Sequence, residues 1–569
     1  MRKLILLPFL IIISFSIFGQ VEDYKADFIF PLQKPANLSG NFGEPRARHF
    51  HGGIDIQTSS IGLPVVAVAD GFVSRVSVSP YGYGLALYVT HHNGYTSVYG
   101  HLNNFNPEIA KFVIDIQYQT KSFVIDTAID EHIFPVKKND IIAYSGNTGQ
   151  SEGPHLHFEI RDTKTQNTLN TINTIYNIKD NTPAQIFSIV IYPLSENSHV
   201  DEKNLKKTFQ TIKISSKKYE IANNQIPKAH GNIGIGISYV DKIEDNPFRF
   251  GIKDLKLWVD DTLYYHSEMK SINFSKQRAK NSVFDYDYYL TKSQHVHKAF
   301  VEPNNDLNMF VTLKNNGIIN LKDDEKKNII IQLYDFNNNI SSIEFTIQST
   351  KANNLDIKNN SKKYKWNQYN IIRLDDIIVE LDSAALFYDN YIEIKNLKQN
   401  IFSSVYKVAE DGIALKKDIK IIFPVNDIKT QHKDKLVIMR IHNKTKTALQ
   451  SKINNQYLSA FSNSFGEFYI DIDTIAPNIT AKNIKEGANL SNQKYIEVLI
   501  SDNLSGIEKY DMYIDDIWVL GEYNPRTKTL RYYFDDKIDK SKKLHSFKIV
   551  VSDAVGNVQE YKCDNITIQ

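Results

Sequence analysis

Apolar and polar positions alternate with a period of two through much of this chain, and sustained helical spacing is rare. The clearest run is His155-Leu156-His157-Phe158-Glu159-Ile160, which follows the turn residues Gly146-Asn147-Thr148-Gly149 and Gly153-Pro154. Such a pattern predicts a loop feeding a β-strand with one buried face. Leu156, Phe158 and Ile160 then point into a core, while His155, His157 and Glu159 share the other face. Ile54 and Ile56 alternate with Asp55 in the same way, which predicts a strand carrying His51, Gly53 and Asp55 on one face. A helix there would hold Gly52 and Gly53, at a cost of about 2 kcal/mol against two alanines.

Further along, residues 65–76 read as two short strands joined by an Asp70-Gly71 turn. Residues 85–90 and 95–99 read as a hairpin closed by Asn93-Gly94, with His91 and His92 at its tip. One helix is expected, opening at Asn106-Pro107-Glu108 with Asn as cap and Pro in the first turn. Ile109, Phe112, Val113 and Ile116 fall at helical spacing within an arm over 103–135 that can form a wall or lid.

After Arg161 the chain is rich in strand formers and Asn/Asp turns, and it repeats itself. Gly251 to Asp261 aligns without gaps on Gly506 to Asp516, and Leu333-Tyr334-Asp335 with Asn339 matches Val551-Ser552-Asp553 with Asn557. The expected fold is mainly β. A signal peptide at 1–19 precedes an antiparallel β domain at 27–180, an immunoglobulin-like β-sandwich at 185–350, an irregular β domain at 364–472 and a second immunoglobulin-like sandwich at 473–569. The turn Asp502-Asn503-Leu504-Ser505-Gly506 can bind calcium, although ordinary Asx-turn chemistry accounts for it.

Composition narrows the function. A chain of 569 residues exceeds what one core serves, so several domains are expected. The formal net charge is +2, and without Arg2 and Lys3 of the leader the chain is neutral. No basic cluster is interleaved with aromatics, so no nucleic-acid partner is expected. Arg2 and Lys3, an apolar run to Phe18 and the small Gly19 read as a secretory signal. The run is short for a ~20-residue membrane span, and no integral membrane segment is expected after its removal. Export to the periplasm, cell envelope or exterior follows. The single cysteine, Cys563, leaves no internal disulfide, so the domains must hold by burial.

The candidate chemistry lies in the histidines. Two imidazoles on one strand face can divide two tasks, one holding a metal and the other handling protons. His51 and Asp55 supply an imidazole and a carboxylate upstream. Two histidines and one carboxylate form the three-protein-ligand set of a catalytic zinc, whose fourth position stays open for water. His295-Val296-His297 has the same spacing but no Gly-Pro loop and no His-x-x-x-Asp partner, and reads as a surface pair. His49 would share the face of His51. Arg46 and Arg48 are either solvated or able to grip a substrate carboxylate.

His51-x-x-x-Asp55, Tyr99-x-His101-Leu102 and Gly146-Asn147-Thr148-Gly149 with Gly153-Pro154-His155-Leu156-His157-Phe158 together resemble the signature of the lysostaphin/LytM-type zinc endopeptidases. The resemblance covers about residues 35–165. It implies an antiparallel β catalytic domain of the duplicated hybrid motif type, one Zn2+ held by His51, Asp55 and His157, and catalytic histidines at His101 and His155. His155 would act as general base and His101 would donate to the oxyanion or leaving amine, with the split between them open. His49 is not among the implied ligands. The family usually carries Gly at position 139, where this chain has Asn, which also tolerates a left-handed backbone.

The implied substrate is a stem or cross-bridge peptide of bacterial peptidoglycan. Two other readings remain. One is a non-catalytic wall-binding scaffold that activates other hydrolases. The other is a surface adhesion protein whose C-terminal β domains meet glycans or a cell-envelope protein partner.

Overall fold

A computed structural model describes residues 28–33, 37–170, 172, 180–244, 246–351, 362–539 and 541–568. The expected signal peptide at 1–19 lies outside the described residues. The chain is mainly β, and among the described residues no helix is long and apolar enough to cross a membrane.

The sheet that matters most runs, in spatial order, Leu38–Gly40, Ile54–Gln57, His155–Asp162, Tyr95–Leu102, Leu85–His91, Gly71–Val78 and Ile125–Ala128. All neighbouring strands are antiparallel. Its apolar face packs Ile54, Ile56, Val73, Val89, Tyr99, Leu156, Phe158 and Ile160 into one core. Alternation along His155–Asp162 thus does what the pattern requires. The polar face of that strand is buried as well, with Glu159 only 1 % exposed.

Register matters more than the strands themselves. His157 lies opposite Asp55 on one side and opposite Gly100 on the other. A one-residue slip would send the histidine to the opposite face, and the buried Leu/Phe/Ile set forbids it. Gly53 is obligatory for the same approach, since a Cβ there would lie 2.2 Å from the Phe158 carbonyl oxygen.

The expected hairpin at Asp70-Gly71 does not form. Pro64–Val66 pairs instead with Ile141–Tyr144, while Gly71–Val78 joins the main sheet. Long-range pairing overrides the local turn signal. Tyr95–Leu102 does pair with Leu85–His91, but His91 is 3 % exposed and bonded to Ser97 rather than sitting free at the tip. The helix Pro107–Thr120 is capped by Asn106, whose side chain accepts from the Ile109 N–H, and it buries Ile109 and Val113. Asn139 takes φ 75°, the left-handed conformation its position asks for.

Three further large hydrophobic cores follow among the described residues, centred on Ile189, Ile235 and Ile331, on Val379, Ile421 and Phe468, and on Ile496, Met512 and Ile549. The second of these joins two five-stranded sheets, and the third joins two four-stranded sheets. The internal repeat is visible in backbone detail. Asp254–Val259 turns into the next strand through Asp260 and Asp261, at φ 44° and 61°. Ile507–Ile514 does so through Asp515 and Asp516, at φ 49° and 61°. Both turns have positive φ at their two central positions, as primed hairpin turns do.

The first of these units is fused to the N-terminal sheet. Thr168–Leu169 pairs with both His155–Asp162 and Ser271–Ile272, and Phe250, Met269, Phe284 and Phe336 join the N-terminal core.

Candidate metal centre

Strand pairing delivers three donor atoms to one point. His51 Nε2 lies 3.0 Å from Asp55 Oδ1 and 3.1 Å from His157 Nδ1, and His157 Nδ1 lies 2.8 Å from Asp55 Oδ1. His51 precedes the strand Ile54–Gln57 rather than lying on it, so the shared-face expectation holds for the strand only from Ile54. All three side chains are buried.

Each ligand candidate is fixed from behind. The His51 Nδ1–H donates to the Asn41 carbonyl at 2.8 Å, which leaves Nε2 bare. The His157 Nε2–H donates to Glu159 Oε1 at 2.8 Å, which turns Nδ1 inward. Arg46 Nη2 donates to the outer oxygen of Asp55, Oδ2, at 2.7 Å and is itself paired with Glu44. Glu159 also accepts from the Tyr83 hydroxyl at 2.5 Å and from Arg161 Nε at 2.8 Å. Such outer partners set the tautomer and aim of metal ligands.

Against burial, which lowers it, the bonds and charges of Asp55 and Glu159 raise His157 to about 9, so a cation entering the site displaces the Nδ1 proton that faces Asp55. Burial alone would raise the Glu159 carboxyl, but Arg161 and the bond from His157 bring it down to about 2. Burial would likewise raise Asp55, yet His51 and His157 hold it well below the usual carboxylate range. A buried anion facing two inward ring nitrogens is a donor set for a cation. Ligand atoms about 2.0–2.1 Å from a tetrahedral zinc stand roughly 3.3 Å apart, so the spacing here fits an ion after a small expansion.

His155 and His101 stand beside this triad. His155 Nδ1–H donates to the Gly153 carbonyl at 2.8 Å, and its Nε2 lies 3.6 Å from Asp55 Oδ1. His101 Nδ1–H donates to the Thr148 carbonyl at 2.8 Å, and the two rings lie 4.7 Å apart. Burial, with His157 and His155 alongside, pushes the His101 imidazole down to about 3, and burial lowers His155 too. Both are neutral near pH 7, with Nε2 as a free acceptor. His101 adopts φ 57°. That left-handed conformation costs a non-glycine residue about 1–2 kcal/mol.

All five expected residues therefore gather in one cluster, and His49 stays out of it, exposed in the turn 46–49. The partners Glu44, Arg46, Tyr83 and Arg161 were not singled out for this role by the sequence. The Tyr83-Gly84 turn gave no sign that its ring would stack 5.0 Å from His157. The His295/His297 pair is not the surface pair expected, with His295 half-buried and His297 buried. His297 is 4 % exposed, paired with Lys228–Val240, and pushed down to about 3 by burial against neighbouring aromatics.

Residues 49–115 and 131–170 match the sequence profile of Peptidase family M23, and residues 361–473 match that of a Zu5-like domain. The gap between the two M23 segments falls inside the 103–135 arm. An uncharacterized metalloprotease of Haemophilus influenzae is 36% identical over 137 residues, covering 23% of this chain and 24% of its own. A DD-carboxypeptidase/endopeptidase of Neisseria meningitidis is 33% identical over 111 residues, 20% of each chain. A peptidoglycan DD-endopeptidase of Vibrio cholerae is 29% identical over 155 residues, 25% of this chain and 30% of its own. The chain thus spans less than a third of the length of each of these relatives. Residues 49–115 and 131–170 thus mark a Peptidase family M23 domain, similar to the lysostaphin/LytM-type metallopeptidases that the histidine motifs resemble.

Proposed function

We propose that the N-terminal domain, about residues 27–180, is a zinc-dependent endopeptidase that hydrolyses stem or cross-bridge peptide bonds in bacterial peptidoglycan. The convergence of His51 Nε2, Asp55 Oδ1 and His157 Nδ1 within 3.1 Å carries this reading. Relatives named as peptidoglycan DD-endopeptidase and DD-carboxypeptidase/endopeptidase supply the substrate class.

In this reading His51, Asp55 and His157 hold one Zn2+. When bound, the ion supplies Lewis-acid chemistry, polarising a scissile carbonyl and lowering the pKa of a water toward ~7. The chain's own groups then manage protons and position. His155, its Nδ1–H tied to Gly153, offers a bare Nε2 to accept the proton of the attacking water. His101 is held in the same sense by Thr148, so its Nε2 becomes a donor only after taking up a proton. One histidine therefore gains the proton that the leaving amine must receive. Arg46 and Glu159 keep Asp55 and His157 aimed while this happens.

The β units at 185–350, 364–472 and 473–569 are read as immunoglobulin-like or related modules. They position the peptidase and meet partners in the envelope. Tyr118 of the arm donates to Asp535 and packs edge-on against Trp518 at 5.5 Å, so the last unit sits beside the catalytic domain. The reading requires export, for which the apolar leader is suited.

Digestion of purified peptidoglycan, followed by mass analysis of the released fragments, tests the proposal. Peptide fragments should appear with the zinc-loaded protein and vanish after treatment with a zinc chelator, returning when zinc is restored. Release that ignores the chelator, or no release at all, would contradict it.

A further inference from the structure

Outside the histidine cluster, the described residues hold two aspartate triads that the proposed reaction does not use. Asp180, Asp241 and Asp335 each offer a carboxylate oxygen within 4.8 Å of the others, and all three are buried. Asp473, Asp502 and Asp553 meet the same spacing in the last β unit, with Asp473 and Asp553 buried and Asp502 half-buried.

Turn chemistry explains part of this arrangement. Asp335 Oδ1 accepts the N–H groups of Asn337 and Asn339, both at 2.8 Å, and Oδ2 accepts from the Asn339 amide, which also donates to the Asp180 carbonyl. Asp553 and Asn557 repeat that arrangement, with Asn557 donating to the Asp473 carbonyl.

Turn chemistry does not explain Asp241. It is 3 % exposed, and its Oδ1 has no hydrogen-bond partner. Burial and the neighbouring charges of Asp335 and Asp180 push its carboxyl well above the usual range. The Lys242 backbone N–H serves the carboxylate, but a buried carboxylate oxygen left without a partner is costly enough to favour a proton or a cation there. Asp180 and Asp241 both line a cavity of about 10 Å³, room for one water-sized body. In the second triad Asp502 Oδ1 is likewise buried without a partner, while its Oδ2 accepts from Leu504 and Gly506. Asp241 and Asp502 each precede one of the repeated strands, Asp254–Val259 and Ile507–Ile514, and an orphaned oxygen recurring there argues for one kind of ligand rather than two accidents of packing.

We infer that the chain binds two hard divalent cations of the calcium class, one at Asp180, Asp241 and Asp335 and one at Asp473, Asp502 and Asp553. An all-oxygen carboxylate set selects such ions over zinc. The first site lies where the peptidase meets the next β unit. Asn41 lines its cavity, exchanges two 2.9 Å bonds with Gly251 across the junction, and accepts the His51 Nδ1–H on its carbonyl. A cation there would stiffen the support behind His51.

Equilibrium dialysis of the zinc-saturated full chain against radioactive calcium provides the test. At the calcium concentration that just saturates the unaltered chain, two ions should bind. Asp241→Asn and Asp502→Asn should each leave one, and the double variant none. Both substitutions keep side-chain size and polarity, and the ion retained by each single variant reports that the chain is folded. No calcium bound to the unaltered chain, or a stoichiometry that the two substitutions do not each lower by one, overturns the inference.

Discussion

Replacing His157 with alanine should strip the zinc. Its Nδ1 is one of three converging donors, 3.1 Å from His51 Nε2 and 2.8 Å from Asp55 Oδ1. Loss of a mere outer partner costs about 10–100-fold in metal affinity, so loss of a ligand should cost more. The substitution leaves Asp55 with His51 at 3.0 Å and His155 at 3.6 Å, and frees Glu159 Oε1 of its inward neighbour, although Tyr83 and Arg161 still satisfy that carboxylate. The protein is therefore expected to remain folded, to hold well under one zinc per chain after dialysis, and to release peptides from purified wall only at background. Metal analysis beside circular dichroism checks this. A folded, zinc-replete His157→Ala would remove His157 from the ligand set.

His155→Ala should give the opposite pairing of results. His155 stands 3.6 Å from Asp55 Oδ1 with its other nitrogen committed to Gly153, next to the donor set without joining it. Zinc content should stay near that of the unaltered protein, while wall hydrolysis falls by about 10²–10⁴, the usual contribution of a positioned general base. Zinc lost together with His155 would mean that the two strand histidines have exchanged roles. Full activity would remove His155 from the mechanism. His157→Ala and His155→Ala thus separate metal holding from proton handling on two residues only one position apart on the same strand face.

What the sequence made legible was local. The alternation of Leu156, Phe158 and Ile160 against His155, His157 and Glu159 predicted the central strand, and Asn106-Pro107 predicted the helix start. The five site residues came from three motifs read together. Alternation alone could not have chosen between His155 and His157.

What stayed hidden depends on contacts distant in sequence. Arg46 looked like a surface or substrate-binding cation. The turn between Glu44 and His51 folds it back so that it clamps Asp55. Tyr83 reaches Glu159 from a turn far away in the chain. His297 was read as exposed because nothing nearby predicts that Phe284, Tyr265 and Tyr239 would close over it. The Asp70-Gly71 hairpin failed for the same reason, when Ile141–Tyr144 offered Pro64–Val66 a better partner. Patterns with a period of two report which face is buried, and they are silent on which strand lies alongside.

The central claim is that one metal ion sits among His51, Asp55 and His157. Anomalous diffraction at the zinc edge from crystals of the zinc-loaded protein tests it most directly. The account predicts a peak about 2.0–2.2 Å from His51 Nε2, Asp55 Oδ1 and His157 Nδ1. Among the described residues, the only other candidate cluster that contains a histidine is Asp254, His266 and Glu268. A peak there with none between His51 and His157 would contradict the account.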